Sequence, residues 1–352
     1  MQGAMMAENF RFGIEEEYFL VDAQTKRVAR RMPENFLMAA NQATDGHVTG
    51  EFLQSQVEVA TAPHFSFANA RSELHGLRQI VASIAAEHGL AILAAGTHPT
   101  AIWGDALQTP KQRYDEVMND LQMIGQRNML CGMHVHVELP DPDERVDVMC
   151  RMLPYLPLFL ALSTSSPFWQ SRSTGLMGYR LAAYDELPRT GVPELFRTKE
   201  EFDAYIAAQV KAGIIADSSY IWWAIRPSLA HPTLELRAPD CCTLIDDAIA
   251  IAALYRTLVR HLYYNPWRNH GTFVTEEGAV TVGEMLERVI EETAADAEAL
   301  GCAEEIAHCR KIVGGGTSAD TQLAVFKEER ERSNRKEALQ AVTDWIVGAT
   351  LR

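Results

Sequence analysis

The six cysteines of this 352-residue chain include no CxxC pair, and Cys241 and Cys242 are adjacent. That spacing suits neither a disulfide framework nor a zinc ribbon, so buried thiols in a reducing compartment are expected. Positive charge is scarce as well. Lys and Arg number 32 against 47 Asp and Glu, a formal net charge of −15, which argues against a nucleic-acid surface, since phosphate backbones are held by clustered cations. No apolar run reaches the roughly 18 residues that a membrane helix needs. Residues 1–9 lack the basic start and apolar core of a secretory signal. A cytoplasmic protein with neither nucleic-acid nor membrane partners is therefore the expectation. Gly314-Gly315-Gly316 lacks a following Lys-Ser/Thr, which makes it a hinge and not a P-loop. There is no Ser-His-Asp or Cys-His signature of nucleophilic catalysis either. With neither an internal repeat nor a long linker, residues 1–352 are expected to form a single catalytic domain with a helical portion from about residue 243 onward.

What the chain does have is a series of short strands with acids in unexpected places. Phe12-Gly13-Ile14-Glu15-Glu16-Glu17-Tyr18-Phe19-Leu20-Val21 reads as a strand carrying three consecutive acids. Side chains two apart share a face of a strand, so Glu15 and Glu17 point one way, and Glu16 the other with Phe12, Ile14 and Tyr18. The stretch 50–61 reads as a second strand, with Gln54, Gln56 and Glu58 on one face. In Cys131–Leu139, His134, His136 and Glu138 alternate with Met133, Val135, Val137 and Leu139. Two further strands carry Arg226 and the pair Glu235 and Arg237. Helical spacing is expected over 66–88, 110–128, 143–162 (kinked by Pro154 and Pro157), 198–211, 243–264, 281–299, 303–312 and 320–349. Residues 163–197 read as irregular loop.

If these strands lie in one antiparallel sheet, their apolar faces pack on helices and their polar faces line a carboxylate-rich cleft. Carboxylates with one or two His suit Mg²⁺ or Mn²⁺, hard ions that take oxygen ligands. Plainer readings exist for each part. The triple Glu could be a charged edge that discourages aggregation, the two His a wet strand face, and Glu235 with Arg237 an in-sheet ion pair. Arg113, Arg180 and Arg226, taken singly, read as surface pairs. Taken together the pattern favours a bound cation, because so many acids on one face are costly without a counter-ion.

The motifs Gly13-Ile14-Glu15-Glu16-Glu17, Gln56-Val57-Glu58, Gly96-Thr97-His98-Pro99, Arg113-Tyr114, Gly132-Met133-His134-Val135-His136, Ile225-Arg226-Pro227-Ser228 and Leu234-Glu235-Leu236-Arg237 resemble, in order, the carboxylate–amine ligases of the glutamate–cysteine ligase type 2 family. The resemblance runs from about residue 10 to about residue 330. It implies an α+β fold like the glutamine synthetase catalytic fold, a curved antiparallel sheet with helices on its outer face. It also implies ATP-dependent amide formation through an acyl phosphate, with glutamate as the carboxylate and an amine as the second substrate. By the same resemblance Glu15, Glu17, Glu58, His134 and Glu235 would hold Mg²⁺, with Mn²⁺ as an alternative, and Arg237, Arg226 and Arg113 would face the nucleotide. A homo-oligomer is compatible with it. Two places depart from the family pattern. Ala224 stands where Asp is common, and Asn265-Pro266-Trp267-Arg268-Asn269-His270-Gly271 is shorter than the family's Arg-rich segment. Outside the family, a metal-dependent hydrolase using the HxH pair, and a nucleotide-binding module without turnover, remain as alternatives.

Overall fold

Period-two alternation with one buried face produces the central strand. β1 (Phe12–Asp22) buries Phe12, Ile14, Glu16 and Tyr18, while Gly13, Glu15 and Glu17 are less covered and face the other way. The computed structural model describes residues 10–266, 274–275 and 278–352; the segment Trp267–Gly271 singled out above lies outside them. β1 is long enough to be paired along both edges. On one edge it pairs with β3 (Gln56–Ala60), which in turn pairs with β2 (Val48–Gly50). On the other it pairs with β4 (Leu90–Leu93) through its second half and with β5 (Met133–Glu138) through its first.

Two two-residue strands, β6 (Phe168–Trp169) and β7 (Arg172–Ser173), form a separate ribbon. β8 (Ile225–Pro227) and β9 (Thr233–Leu236) complete the main sheet. That sheet is seven-stranded in the order β2-β3-β1-β5-β9-β8 with β4 on β1, and every pair in it is antiparallel. Pro227 is tolerated because β8 is an edge. A second ribbon joins β10 (Val274–Thr275) to β11 (Gly278–Ala279).

The helices are α1 (Phe36–Ala43), α2 (Phe67–Glu87), α3 (Gln112–Leu121), α4 (Met123–Gln126), α5 (Arg145–Met152), α6 (Leu156–Ser163), α7 (Tyr179–Tyr184) and α8 (Lys199–Lys211), then α9 (Ile245–Tyr264), α10 (Val282–Glu292), α11 (Ala294–Leu300), α12 (Ala303–Gly315), α13 (Ser318–Arg330) and α14 (Arg335–Ala349). α9 is buried along most of its length, from Ile245 to Leu262, and packs on β5 and α2. It is the axis of the helical layer behind the sheet. Pro142–Ser163 is long and apolar enough in composition to cross a membrane. Here it is split at Leu153–Tyr155 and buries Met149, Met152, Leu158, Phe159 and Leu162 in the core beside α9.

Several boundaries differ from the sequence expectation, each for a local reason. The stretch 50–61 is not one strand. The chain turns over residues 51–55, so β2 and β3 pair with each other. The helix expected over 281–299 breaks at Thr293, whose hydroxyl donates back to the Val289 carbonyl. The one expected over 320–349 is a helical hairpin. Its second arm is started by Asn334, whose side chain accepts from Lys336 N and Glu337 N. Residues 179–184, expected to be loop, form α7.

Candidate active site

The strand registers bring the expected residues to one band across the sheet. Glu17 stands opposite Glu58, and Glu15 opposite His134. His136 stands opposite Glu235, which has Arg226 on its other side. These side chains line a cleft of about 390 Å³ that also takes in Arg113, Tyr114, Arg180, Tyr184, Trp222 and Arg237. Every site residue expected from the sequence therefore lines this one cleft: Glu15, Glu17, Glu58, His134, Glu235, Arg113, Arg226 and Arg237.

His134 is the hub. Its Nδ1 lies 3.1 Å from Glu15 Oε2 and 4.0 Å from Glu235 Oε1, and its Nε2 lies 3.8 Å from Glu17 Oε1. Two overlapping groups result, Glu15–His134–Glu235 and Glu17–Glu58–His134, each with donor atoms within 4.8 Å of one another. His136 Nε2 reaches Glu15 Oε1 at 3.2 Å, and its Nδ1 pairs with Thr233 Oγ1.

Electrostatics divides the band into two halves. Burial alone would raise Glu235, yet Arg237 and Arg226 hold its carboxyl far below the usual range. Arg226 donates from Nε to Glu235 Oε2 at 2.7 Å, and Arg237 donates to Oε1. Burial likewise opposes ionisation of Glu15, but hydrogen bonds from His134 and His136 keep it well below its ordinary value. The other half is crowded with acid. Burial, and then Glu51, raise Glu17 to about 7, although Gly132 N donates to its Oε2 at 2.5 Å. Burial, Glu51, Glu15 and Glu17 together push Glu58 well above the carboxylate range. His134 is driven down to about 4 by burial and by Arg237, so it is neutral at pH 7. Its Nε2 is buried without a hydrogen-bond partner. Crowded oxygen donors beside an unpartnered imidazole nitrogen are the donor set that a hard divalent cation such as Mg²⁺ or Mn²⁺ fits.

The arginines are not equivalent. Arg226 uses all three of its nitrogens, on Glu235 and on the carbonyls of Ser219 and Ile221. Arg237 keeps a buried Nε without a partner. Arg113 sits at the rim, stacked over the Tyr220 ring. Arg180, which taken alone reads as a surface residue, is 3% exposed and donates to the carbonyls of Arg237 and Pro239. Its guanidinium fills the space beside Gly132, where an added Cβ would stand 2.0 Å from Nη2. Glu16 lies behind the sheet, fully buried against Arg78, and is no part of the cleft. Ala224, where the family pattern has Asp, contributes its carbonyl, which accepts from the Arg237 and Ala238 N–H groups.

Sequence reasoning missed Glu51, Tyr184 and Trp222. Glu51 follows directly on β2 and enters the cleft because the chain reverses between β2 and β3. Residues 51–55 contain no Gly, Pro, Asn or Asp, so nothing beyond Gly50 marked the reversal. Tyr184 and Trp222 left no signal beyond their aromatic character.

Residues 11–344 match the family model "Glutamate-cysteine ligase family 2 (GCS2)". A protein of Bradyrhizobium sp. (strain ORS 278), named "Putative glutamate--cysteine ligase 2", is 55% identical over 99% of this chain and 90% of its own length. One of the same name from Rhodospirillum rubrum is 42% identical over 97% and 96%. Among solved structures, a bifunctional glutathione synthetase from Pasteurella multocida superposes with a TM-score of 0.68 at 16% identity over 99% of this chain; the chain spans about half of that protein, 54%. A glutamate–cysteine ligase from Francisella tularensis, solved with AMP, gives 0.68 at 12% identity over 97% of this chain and 88% of its own. These structural likenesses bear on the fold, which is the expected α+β arrangement of an antiparallel sheet backed by helices. The chain belongs to the glutamate–cysteine ligase family 2, and with it to the ATP-dependent ligases that form C–N bonds.

Proposed function

We propose that the protein joins the side-chain carboxylate of glutamate to an amine, an amino acid or a simple amine, through an acyl phosphate made from ATP. The observation that carries this reading is the single band Glu58–Glu17–Glu15–His134–Glu235, flanked by Arg237 and Arg226, in a cleft whose described lining holds neither a cysteine nor a serine hydrogen-bonded to an imidazole. Such a surface orients substrates and neutralises charge, which is what phosphoryl transfer asks of a protein.

In the first step a carboxylate oxygen of glutamate attacks the γ-phosphorus, and the bond to the β–γ bridging oxygen breaks to release ADP. In the second the amine attacks the acyl carbon, phosphate leaves, and the nitrogen gives up a proton. Glu15, Glu17, Glu58, His134 and Glu235 would hold Mg²⁺, which supplies charge neutralisation on the nucleotide phosphates. Arg237, through its unpartnered Nε, faces developing phosphate charge. Arg113 takes the rim of the nucleotide site. Arg226 acts as a positioning residue, because its donors are already committed to Glu235 and two carbonyls. The names of the relatives support glutamate as the carboxylate; the crowded, cation-seeking half of the cleft supports the nucleotide.

The test is ADP release with glutamate and a panel of amines, beside Glu15→Gln and Glu235→Gln. Both variants should lose at least a hundredfold in turnover, and unchanged rates would remove the metal assignment. Glutamate labelled with ¹⁸O in its side-chain carboxylate should deliver one label to the released phosphate. Unlabelled phosphate would rule out the acyl phosphate, and metal-dependent cleavage of an amide by water, with no need for ATP, would favour a hydrolase.

A further inference from the structure

A second cleft, of about 680 Å³, is separate from the candidate active site and is lined in part by Arg27, Arg30, Arg335 and Lys336. We propose that it is a separate ligand site, which takes a small, multiply charged anion of the phosphate class. In a chain of net charge −15, four cations around one cavity are a local reversal of sign, and among the described residues none of them has an ion-pair partner. Asp105 is the acid that lines the same cavity. Lys26, next in sequence, shows the contrast. It donates to the Ala23 carbonyl and lies 4.0 Å from Asp344.

A second observation points to a ligand. Ser55 lines this cleft and is 2% exposed, yet its hydroxyl has no hydrogen-bond partner. The Ser55 carbonyl is already used by Leu20 N, so the orphan is the side chain alone. Buried hydroxyls are normally satisfied, and a ligand oxygen would satisfy this one. Arg335 and Lys336 also open α14, at the positive end of a 15-residue helix. Asn334 already occupies the Lys336 and Glu337 N–H groups, so side chains would hold the anion and the helix end would add only its field. Met129 and Leu339 supply apolar wall, the usual lining of a small-molecule cavity.

The two clefts share a partition. Asn128 and Leu130 line the first, Met129 the second, and Gln56, next to Ser55, donates to the Leu130 carbonyl at 2.6 Å. Binding to one must therefore be told apart from binding to the other. The full chain is titrated calorimetrically in Mg²⁺-free buffer with inorganic phosphate, tripolyphosphate and citrate. Saturable binding is expected, tightest for tripolyphosphate. An Arg27→Ala, Arg335→Ala double variant, altered only at exposed positions, should bind at least about tenfold more weakly. Ser55→Ala should bind severalfold more weakly with an unchanged or raised melting temperature, since it deletes an unsatisfied group. Arg113→Ala, in the first cleft, should bind as the parent does. Absence of saturation in the millimolar range, full binding by the double variant, or loss in Arg113→Ala alone would overturn the site. Citrate binding as tightly as tripolyphosphate would overturn the phosphate class.

Discussion

Replacing Glu16 by Gln isolates the meaning of the three consecutive acids. The face assignment from sequence places Glu16 outside the cleft and implies that the change spares activity. The structure adds a stability consequence. Glu16 and Arg78 are both fully buried, and the guanidinium meets the carboxylate in a two-point contact, Nη2 to Oε1 at 2.7 Å and Nε to Oε2 at 2.9 Å. Tyr18 donates to the same carboxylate at 2.6 Å. The rest of the Arg78 guanidinium reaches the carbonyls of Cys242, Thr243 and Thr350. One side chain of α2 thus ties β1 to the approach to α9 and to the C-terminal end of α14. Gln keeps the shape and removes the charge, which leaves Arg78 buried without a counter-ion. Breaking one side of a buried pair costs about 3–5 kcal/mol. We expect Glu16→Gln to lower the urea midpoint by that equivalent at unchanged slope, and turnover per folded molecule to stay within about twofold. Arg78→Met should cost at least as much, because it strands the carboxylate and three carbonyls. A Glu16→Gln protein with parental stability and no turnover would refute the argument, since Glu16 would then be acting in the cleft.

Gly132→Ala should reduce turnover by about a hundredfold, the penalty expected for displacing a site by roughly 1 Å, because the new methyl would meet the pinned Arg180 guanidinium; parental kinetics would show that Arg180 can move aside. His98, buried with Nε2 donating to the Lys26 carbonyl, has its pKa lowered by burial to about 4 from 6.5. An unfolded chain takes up this proton first, so stability is intact above pH 6.5 and falls as pH drops toward 4. The His98 share of that loss is about 3 kcal/mol. His98→Gln should therefore show a shallower acid-side decline in urea midpoint between those pH values, and an identical slope would remove the assignment. Chelation with EDTA should abolish ADP release, and added Mg²⁺ or Mn²⁺ should restore it; turnover that survives exhaustive chelation would exclude Glu17 and Glu58 as metal ligands.

How far the site could be read in advance follows from where each residue sits. Glu15, Glu17, Glu58, His134, Glu235 and Arg237 all lie on or directly beside strands with one buried face, where a fixed period of two decides the direction of every side chain. Their convergence needed only that the strands share a sheet. Glu51 was not legible because its direction depends on a turn and not on a period. The Arg78 partnership was not legible for a different reason. Arg78 lies on the core face of α2 between Leu74, Leu77 and Val81, where a charged side chain has no meaning until its partner on another element is known. The helix break at Thr293 was missed because the apolar pattern runs on through it, while one side-chain hydrogen bond decides the geometry; the break near Asn334 was marked by the polar run 327–337 and its Ser333-Asn334 cap signal, which the long helical reading passed over.

The same residue type therefore has two opposite solutions on one strand. On the core face Glu16 has a fixed counter-charge, Arg78, supplied by the chain and sealed from water. That pairing is permanent and holds the helices to the sheet. On the cleft face the compensation is graded. Glu235 is compensated by Arg237 and Arg226, and Glu15 is held ionised by hydrogen bonds from His134 and His136, while at the Glu17–Glu58–Glu51 end burial and mutual repulsion outweigh the influence of Arg180 and Arg237. A fixed arginine at that end would neutralise the acids as Arg78 does, and would leave nothing for a metal–nucleotide to supply. On the proposed function, the uncompensated acids at that end are what a metal–nucleotide would neutralise, whereas Glu16 on the opposite face of β1 is already satisfied within the chain by Arg78.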